Sequence, residues 1–301
     1  MIRKVSKIGP STLMISLPSK WVKKYDINKG SELNITEKGK ILTISTENLI
    51  TTDHKTTVDF SNLEPRVIKW YLSALHKTGL DEIKILYNNQ KTIELIKGTI
   101  NNLLIGFTII EQNNKYIIIK QISVDLEQEF RPILRRSFLV TLTLAKQSLE
   151  LIKNKQYEKL KNTKLLELTN NKLTNFCQRI LIKNQYIIPT KTCFAYVIIW
   201  NLEKIADDYK YICDELFKRK APLSKEIIDL YQQVNELLES YYNLFYKFKI
   251  QDLNELSAKR TEILNKIKNS KTENNLIINY LQSLTLKIVD FSSSIIALNH
   301  L

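Results

Sequence analysis

The spacing of apolar residues changes once along this chain, and that change constrains the fold more than any other feature. From residue 126 to residue 301, apolar side chains recur at the period of an amphipathic helix. Further helices are predicted at about 156–185, 190–219, 223–249, 252–269 and 273–300. The first helical stripe contains Phe130, Leu134, Phe138, Thr141, Ala145, Leu149 and Ile152. Because the connections are short, this part is predicted to form two all-α three-helix units, 126–220 and 221–301.

The first fifty residues instead show short alternating strand patterns and one short helix. Strands are predicted at Ile2–Ile8 and Thr12–Leu17, with a turn at Gly9, and a second hairpin follows the helix. So short a segment buries too little apolar surface to fold alone, and it holds no cysteine that could staple it. The sequence therefore predicts that domain 1–50 pairs with a second copy, giving a homodimer or a higher oligomer.

Residues 51–125 are predicted to form a small α/β module with the element order α-β-α-β-β. Its first helix is predicted at Pro65–Lys77, with Val67, Trp70, Tyr71, Ala74 and Leu75 at helical spacing. Two helices on one face of a small sheet are expected. The module shows no catalytic pattern, and we expect it to be a scaffold or a dimer contact.

The composition and the missing motifs argue against an enzyme and against a membrane-spanning protein. The chain has 45 Lys and Arg against 31 Asp and Glu, a formal net charge of +14. It contains three cysteines in no CxxC pair, and no nucleotide-binding glycine loop, G-x-S-x-G or HExxH motif, so enzymatic activity is not expected. No run of about 18 uncharged apolar residues occurs, so we expect no membrane insertion and a cytoplasmic location.

Basic residues are concentrated near the N-terminus. The first fifty residues hold nine Lys or Arg and four acids, a net charge of +5. A basic patch of this kind supplies non-specific affinity for DNA, although an ordinary solvated surface is the alternative. The candidates are Arg3, Lys4, Lys7, Lys20, Lys23 and Lys24.

The segment from Lys7 to Val22, followed by Lys29-Gly30-Ser31-Glu32-Leu33, resembles the swapped-hairpin domain of the AbrB/SpoVT family. In that family two chains exchange hairpins into one β-barrel, and basic strand residues contact DNA. The resemblance covers about residues 1–46 and assigns two kinds of contact. It implies DNA contacts from the strand residues Arg3, Lys4 and Lys7, and contacts to the DNA backbone from Lys20 and Lys24.

Carboxylates recur at i, i+4 in the helical part. Glu203 and Asp207 lie one turn apart on one helix face, a spacing that can offer two oxygen ligands to one cation. The alternative is that these acids form ion pairs with Lys204 and Lys210, or simply face solvent. The residues alone leave both readings open.

The stretch Leu202–Ile212 resembles a signature of the PhoU family of phosphate-signalling regulators, and Arg135–Phe138 resembles its first-helix pattern. That family consists of two three-helix repeats whose carboxylate clusters bind iron, zinc or manganese. Applied to this sequence, the resemblance implies that the metal ligands are Glu203, Asp207, Glu167 and Asp290. Asparagine or leucine replaces several of the family's other acids, as at Asn171 and Leu286.

Taken together, the order of segments resembles archaeal phosphate uptake regulators. The predicted fold class is α+β and multidomain, with a swapped-hairpin barrel, an α/β module and tandem helical bundles. The predicted function is a DNA-binding transcriptional regulator whose helices sense a signal or a partner of phosphate uptake. One alternative is an adaptor that contacts a phosphate transporter or signalling components, with the barrel only dimerising. Another is metal storage or sensing.

Overall fold

The computed structural model describes residues 2–38, 41–46, 54–122, 129–184, 189–270 and 275–300. The chain divides into two compact units, Met1–Lys55 and Thr56–Leu301. The fold is α+β, with a small N-terminal β region and a helical C-terminal region. The predicted boundaries after residues 50 and 125 lie outside the described residues, and the α/β module and the helices belong to the same compact unit.

Two hairpins and one short helix make up the smaller unit. In chain order its elements are β1 (Ser6–Ile8), β2 (Thr12–Met14), α1 (Ser19–Lys24), β3 (Asn34–Lys38) and β4 (Ile41–Ser45). β1 pairs antiparallel with β2 across the predicted turn, where Gly9 adopts a φ of 74°. That left-handed conformation favours glycine, because a Cβ atom would clash there. β1 begins later than the predicted start at Ile2.

No described residue of this smaller unit is buried. In the second hairpin, Ile35 pairs with Ile44 and Glu37 pairs with Leu42, so the apolar side chains share one face of the ribbon. The exposed large apolar side chains of the unit are Ile2, Val5, Ile8, Leu13, Met14, Ile15, Tyr25, Ile35 and Leu42. Apolar surface of this extent normally becomes covered when a domain folds or associates. The unit therefore lacks a core of its own within the described residues.

The α/β module has one more strand than predicted. Its elements are β5 (Lys55–Asp59), α2 (Pro65–Lys77), β6 (Glu82–Leu86), α3 (Gln90–Leu103), β7 (Phe107–Gln112) and β8 (Tyr116–Gln121). The four strands form one sheet in the order β5-β6-β8-β7. The sequence pattern does not predict β5, because only Thr56 and Val58 alternate with exposed residues along this short strand. Ile83 and Ile85 of β6 lie against the helices with Ile117 and Ile119 of β8.

Helix α2 forms at its predicted bounds, Pro65–Lys77, but the residues that it buries are not those named for its helical spacing. The residues that α2 buries are Ile68, Leu72 and His76. Trp70 and Tyr71, which the predicted stripe contains, are 61% and 45% exposed. The helix carries apolar side chains on two faces, so periodicity alone cannot tell which face meets the sheet.

The C-terminal region is helical, as predicted, and its elements are α4 (Phe130–Lys153), a 3₁₀ helix (Tyr157–Thr163), α5 (Lys164–Asn184), α6 (Pro189–Arg219), α7 (Lys225–Tyr246), α8 (Ile250–Asn269), α9 (Asn275–Asp290) and α10 (Ser292–His300). All seven residues of the predicted α4 stripe are buried. The helices α4, α5 and α6 contact one another, and so do α7, α8 and α9. One continuous apolar core joins both triplets.

The stretch Leu276–His300 is the one described helical stretch that is long and apolar enough to cross a membrane by length and composition alone. Its side chains Ile277, Leu281, Leu284 and Ile288 are completely buried in the protein core. A third of its most apolar window is buried, so in this structure the stretch packs one face on the core and is split into α9 and α10.

Candidate functional site

The five predicted DNA-contact residues, called here the basic set, all lie on the surface of the smaller unit. They are Arg3, Lys4, Lys7, Lys20 and Lys24, and each is exposed. Lys7 is the central residue of β1 and pairs with Leu13 of β2. Lys20 and Lys24 are four residues apart on α1, so they share one face of that helix.

Arg3 and Lys4 precede β1, which begins at Ser6. They lie in the exposed segment that leads into the hairpin, outside the β1–β2 ladder. That segment is not held in a ladder, so its side chains can adapt to a phosphate backbone.

Within the residues that the structure describes, no member of the basic set forms an ion pair with a carboxylate. The one aromatic contact of the set is that of Lys24, whose Nζ lies 5.2 Å from the centre of the Tyr25 ring. Uncompensated cationic side chains are the ones available to neutralise phosphates and release counterions.

A second charged group lies in the larger unit, where three of the four predicted metal ligands come together. Glu167 on α5 and Asp207 on α6 both accept hydrogen bonds from Lys210, at 2.8 Å and 2.7 Å. Lys204 bridges Asp207 at 3.1 Å and Glu203 at 3.3 Å. These residues, with Lys77, form an alternating row of acids and lysines that we call the charged ladder.

The charged ladder also reaches the α/β module. Lys77, in the last turn of α2, lies 3.8 Å from the second carboxylate oxygen of Glu203. Burial lowers the pKa of Lys77, although Glu203 opposes that effect. The ladder thus connects α2, α5 and α6 through charge as well as packing.

Lys210 and Asp207 are each held in the charged form. Burial tends to lower the pKa of Lys210, but its hydrogen bonds to Asp207 and Glu167 outweigh burial and raise the pKa above the usual lysine value. Burial tends to raise the pKa of Asp207, yet the hydrogen bonds from Lys210 and Lys204 lower it overall. Each group therefore keeps its charge near neutral pH.

The fourth predicted ligand, Asp290, lies apart from the ladder. Its nearest charged neighbour is Arg260, at 3.7 Å, and its side chain is about half exposed. Across the described ranges, no group of three or more His, Cys, Asp or Glu side chains is placed to hold a metal ion. The donor set does not fit a metal, because lysine ammonium groups already neutralise Glu167 and Asp207.

For Asp207 the structure shows the alternative that the sequence left open, ion pairs with Lys204 and Lys210. Their signal was present in the sequence, because Lys204 and Lys210 each lie three residues from Asp207 on α6. Helical neighbours at that spacing form ion pairs. Sequence cannot show that Glu167 approaches from α5, 43 residues away.

Comparison with known proteins identifies only the N-terminal part. Residues 7–48 match the family model described as antidote-toxin recognition MazE, bacterial antitoxin. No curated protein and no solved structure matches the chain. The match does not extend into the helices, so the PhoU resemblance and an archaeal origin rest on sequence motifs alone. The chain thus carries a MazE/AbrB-like domain at its N-terminus, of a kind that typically binds DNA and dimerises.

Proposed function

We propose that this protein is a DNA-binding transcriptional regulator that works as a dimer. The observation that carries the proposal is the exposed basic set, which has no ion pair with the described carboxylates, on a segment that matches the MazE model. Basic side chains presented in this way recognise the phosphate backbone and set the position of a protein on duplex DNA.

Pairing of two copies follows from the apolar surface of the same unit. Leu13, Ile35 and Leu42 are each more than half exposed, and none of the described residues 2–46 is buried. A second copy that covers these side chains would supply the missing core and bring two basic sets together. Two basic sets match the two half-sites that dimeric DNA-binding proteins contact.

For the helical region we propose a sensing role in phosphate uptake, through a signal or a protein partner. The support is the sequence resemblance of Leu202–Ile212 and the two mutually packed helix triplets. Ligand or partner binding there would shift the population of conformations in which the N-terminal domains fit DNA. The adaptor alternative predicts transporter subunits that co-purify with the protein and no DNA affinity.

The experiment is a salt titration of duplex-DNA binding with the full chain. We expect the double variant Arg3→Ala, Lys7→Ala to weaken binding and to reduce the slope of log affinity against log salt by about two. The matched control is Lys159→Ala, Lys161→Ala, which removes the same charge from exposed positions in the larger unit. Unchanged affinity in the Arg3 and Lys7 variant, or no binding at low salt, would refute the proposal.

The family description favours a second candidate, an antitoxin-type regulator. That role predicts a stoichiometric protein partner that inhibits growth when expressed alone and is neutralised by this chain. Growth rescue by the Arg3→Ala, Lys7→Ala variant would show that neutralisation is independent of DNA binding. Absence of such a partner, together with salt-dependent DNA affinity, would leave the first proposal standing.

A further inference from the structure

Helix α2 presents a second apolar stripe on its outer side. The residues that line it, called here the α2 stripe, are Val67, Trp70, Tyr71, Ala74, Leu75 and Thr78. Their spacing of i, i+3, i+4, i+7, i+8 and i+11 is that of a helix–helix seam. The residues Ile68 and Leu72, on another face of the helix, are completely buried in the core of the module, and the half-buried Leu75 lies at the border between the two faces.

The described residues leave most of the stripe open. Trp70 remains 61% exposed, and its ring is covered only by the Arg66 guanidinium, 5.1 Å from the ring centre. Tyr71 makes an edge contact with Phe60 but remains 45% exposed. Two neighbouring exposed aromatic rings on a regular helix are typical of an interface rather than of a solvated surface.

We propose that the α2 stripe binds the same stripe of a second copy of this chain, with the two helices antiparallel about a twofold axis. An axis between Leu72 and Ser73 sets residue i of one copy opposite residue 145 minus i of the other. Every member of the stripe then meets another member. The facing pairs are Tyr71 with Ala74, Trp70 with Leu75, and Val67 with Thr78.

The sizes of the facing side chains also match. Each aromatic ring faces a smaller aliphatic group, Tyr71 facing Ala74 and Trp70 facing Leu75, which lets the helices interdigitate. Arg66 falls opposite Gly79, at the two ends of the seam, so its charge stays in solvent while it covers Trp70. A surface that is complementary to itself in this way is the requirement for a twofold homodimer contact.

A second copy is favoured over a different partner because the smaller unit already needs one. This step rests on the proposed pairing of the N-terminal units. Only 19 residues separate the end of β4 at Ser45 from the start of α2 at Pro65. A tether that short gives the two α2 helices an effective concentration in the millimolar range, so a modest contact area is enough.

Disulfide cross-linking of the full chain tests this arrangement. In one helix Val67 and Thr78 are about 16 Å apart, because each residue advances the helix by about 1.5 Å. A disulfide cannot span that distance, but the antiparallel pair sets the two positions against each other. We expect the double variant Val67→Cys, Thr78→Cys to form covalent dimers on oxidation. A mixture of the two single variants should form only the mixed dimer.

The native chain is the matched control, because its exposed Cys193 reports accidental cross-linking. A double variant that stays uncrosslinked, or single variants that link to themselves as efficiently, would overturn the inference. Trp70→Glu should raise the dimer dissociation constant of the full chain at least about tenfold. If Trp70→Ala lowers duplex-DNA affinity and the cysteines never link, the stripe is a nucleic-acid surface and the proposal is wrong.

The outcome is separable from that of the proposed function. The cross-linking experiment is repeated with Leu42→Glu added to the cysteine variant. This substitution removes the proposed N-terminal pairing and leaves the α2 stripe intact. Covalent dimers of this variant at high protein concentration would support the pairing of two α2 stripes even if the N-terminal proposal fails. If the chain binds DNA in a salt-dependent way but its α2 cysteines do not link, the pairing of the α2 stripes is refuted and the proposed function stands.

Discussion

Arg179 of α5 donates a hydrogen bond of 2.8 Å from Nη1 to the main-chain carbonyl oxygen of His76 in the last turn of α2. The same guanidinium bonds Asp81 at 3.0 Å, and its side chain is only 2% exposed. It also stacks on Phe107, 5.0 Å from the ring centre. This buried cation thus joins the α/β module to the helices, together with the packing of α2 and α3 on α5.

Replacing Arg179 should weaken the contact between the α/β module and the helices. We expect Arg179→Met to lower the free energy of unfolding by about 1–3 kcal/mol, because the His76 carbonyl loses a buried donor while the partly exposed Asp81 keeps Lys183. Urea denaturation followed by circular dichroism measures the change. Arg136→Met, at an exposed position on α4, is the control and should change stability by less than about 0.5 kcal/mol. Equal effects of the two substitutions would contradict this role.

His76 should make the protein sensitive to mild acid. Burial and the nearby Arg179 charge lower the pKa of His76 to about 3. The unfolded chain, with a pKa near the usual 6.5, therefore binds this proton first as the pH falls. Stability is full above about pH 6.5 and declines below it, by up to about 1.4 kcal/mol per pH unit.

The variant His76→Leu should flatten that dependence between pH 6.5 and 4, although it loses the contact of Nε2 with the Ile105 carbonyl oxygen at 3.1 Å. Asp207 affects stability only at lower pH, because its pKa lies below 3.8 and its contribution is lost as the pH falls through that lowered value. Chemical denaturation at several pH values gives the slope. An unchanged slope in the variant would show that another group causes the acid sensitivity.

Lys210 should stabilise the helices and exclude metal ions from the charged ladder. Lys210→Ala leaves Glu167 without a cation and Asp207 with Lys204 alone, so we expect a loss of about 1.5–3 kcal/mol. Added Mn²⁺ should then raise the melting temperature of the variant and not that of the native chain. Calorimetry with and without Mn²⁺ measures both effects, and Lys218→Ala serves as a control. Stabilisation of the native chain by Mn²⁺ would contradict this prediction.

Leu42 should lie in the contact between N-terminal units. Leu42→Glu sets a charge on the face that also carries Ile35 and Ile44, so we expect weaker self-association of the full chain. Thr43→Glu introduces the same charge on the other face of β4 and is the matched control. Light scattering across a concentration series gives the mass. A loss of dimers in both variants would indicate general unfolding of the hairpin instead.

Much of the secondary structure could be predicted, because it depends on local spacing. The α4 stripe from Phe130 to Ile152 is buried as its period requires. The turn at Gly9 forms where a residue that tolerates positive φ stands between two alternating runs. Helix α2 forms at its predicted bounds, Pro65–Lys77, but its apolar residues Trp70 and Ile68 lie on different faces, and only packing on the sheet selects the buried one.

The sequence by itself determined the helices, the first hairpin and the concentration of basic residues at the N-terminus, because these depend on residues close together in the chain. Only the tertiary structure decided what the acids of the helices do. Glu167 and Lys210 come from different helices, and their ion pair neutralises a carboxylate that the sequence offered as a metal ligand. Contacts between distant segments depend on how whole helices pack, and no local pattern encodes that.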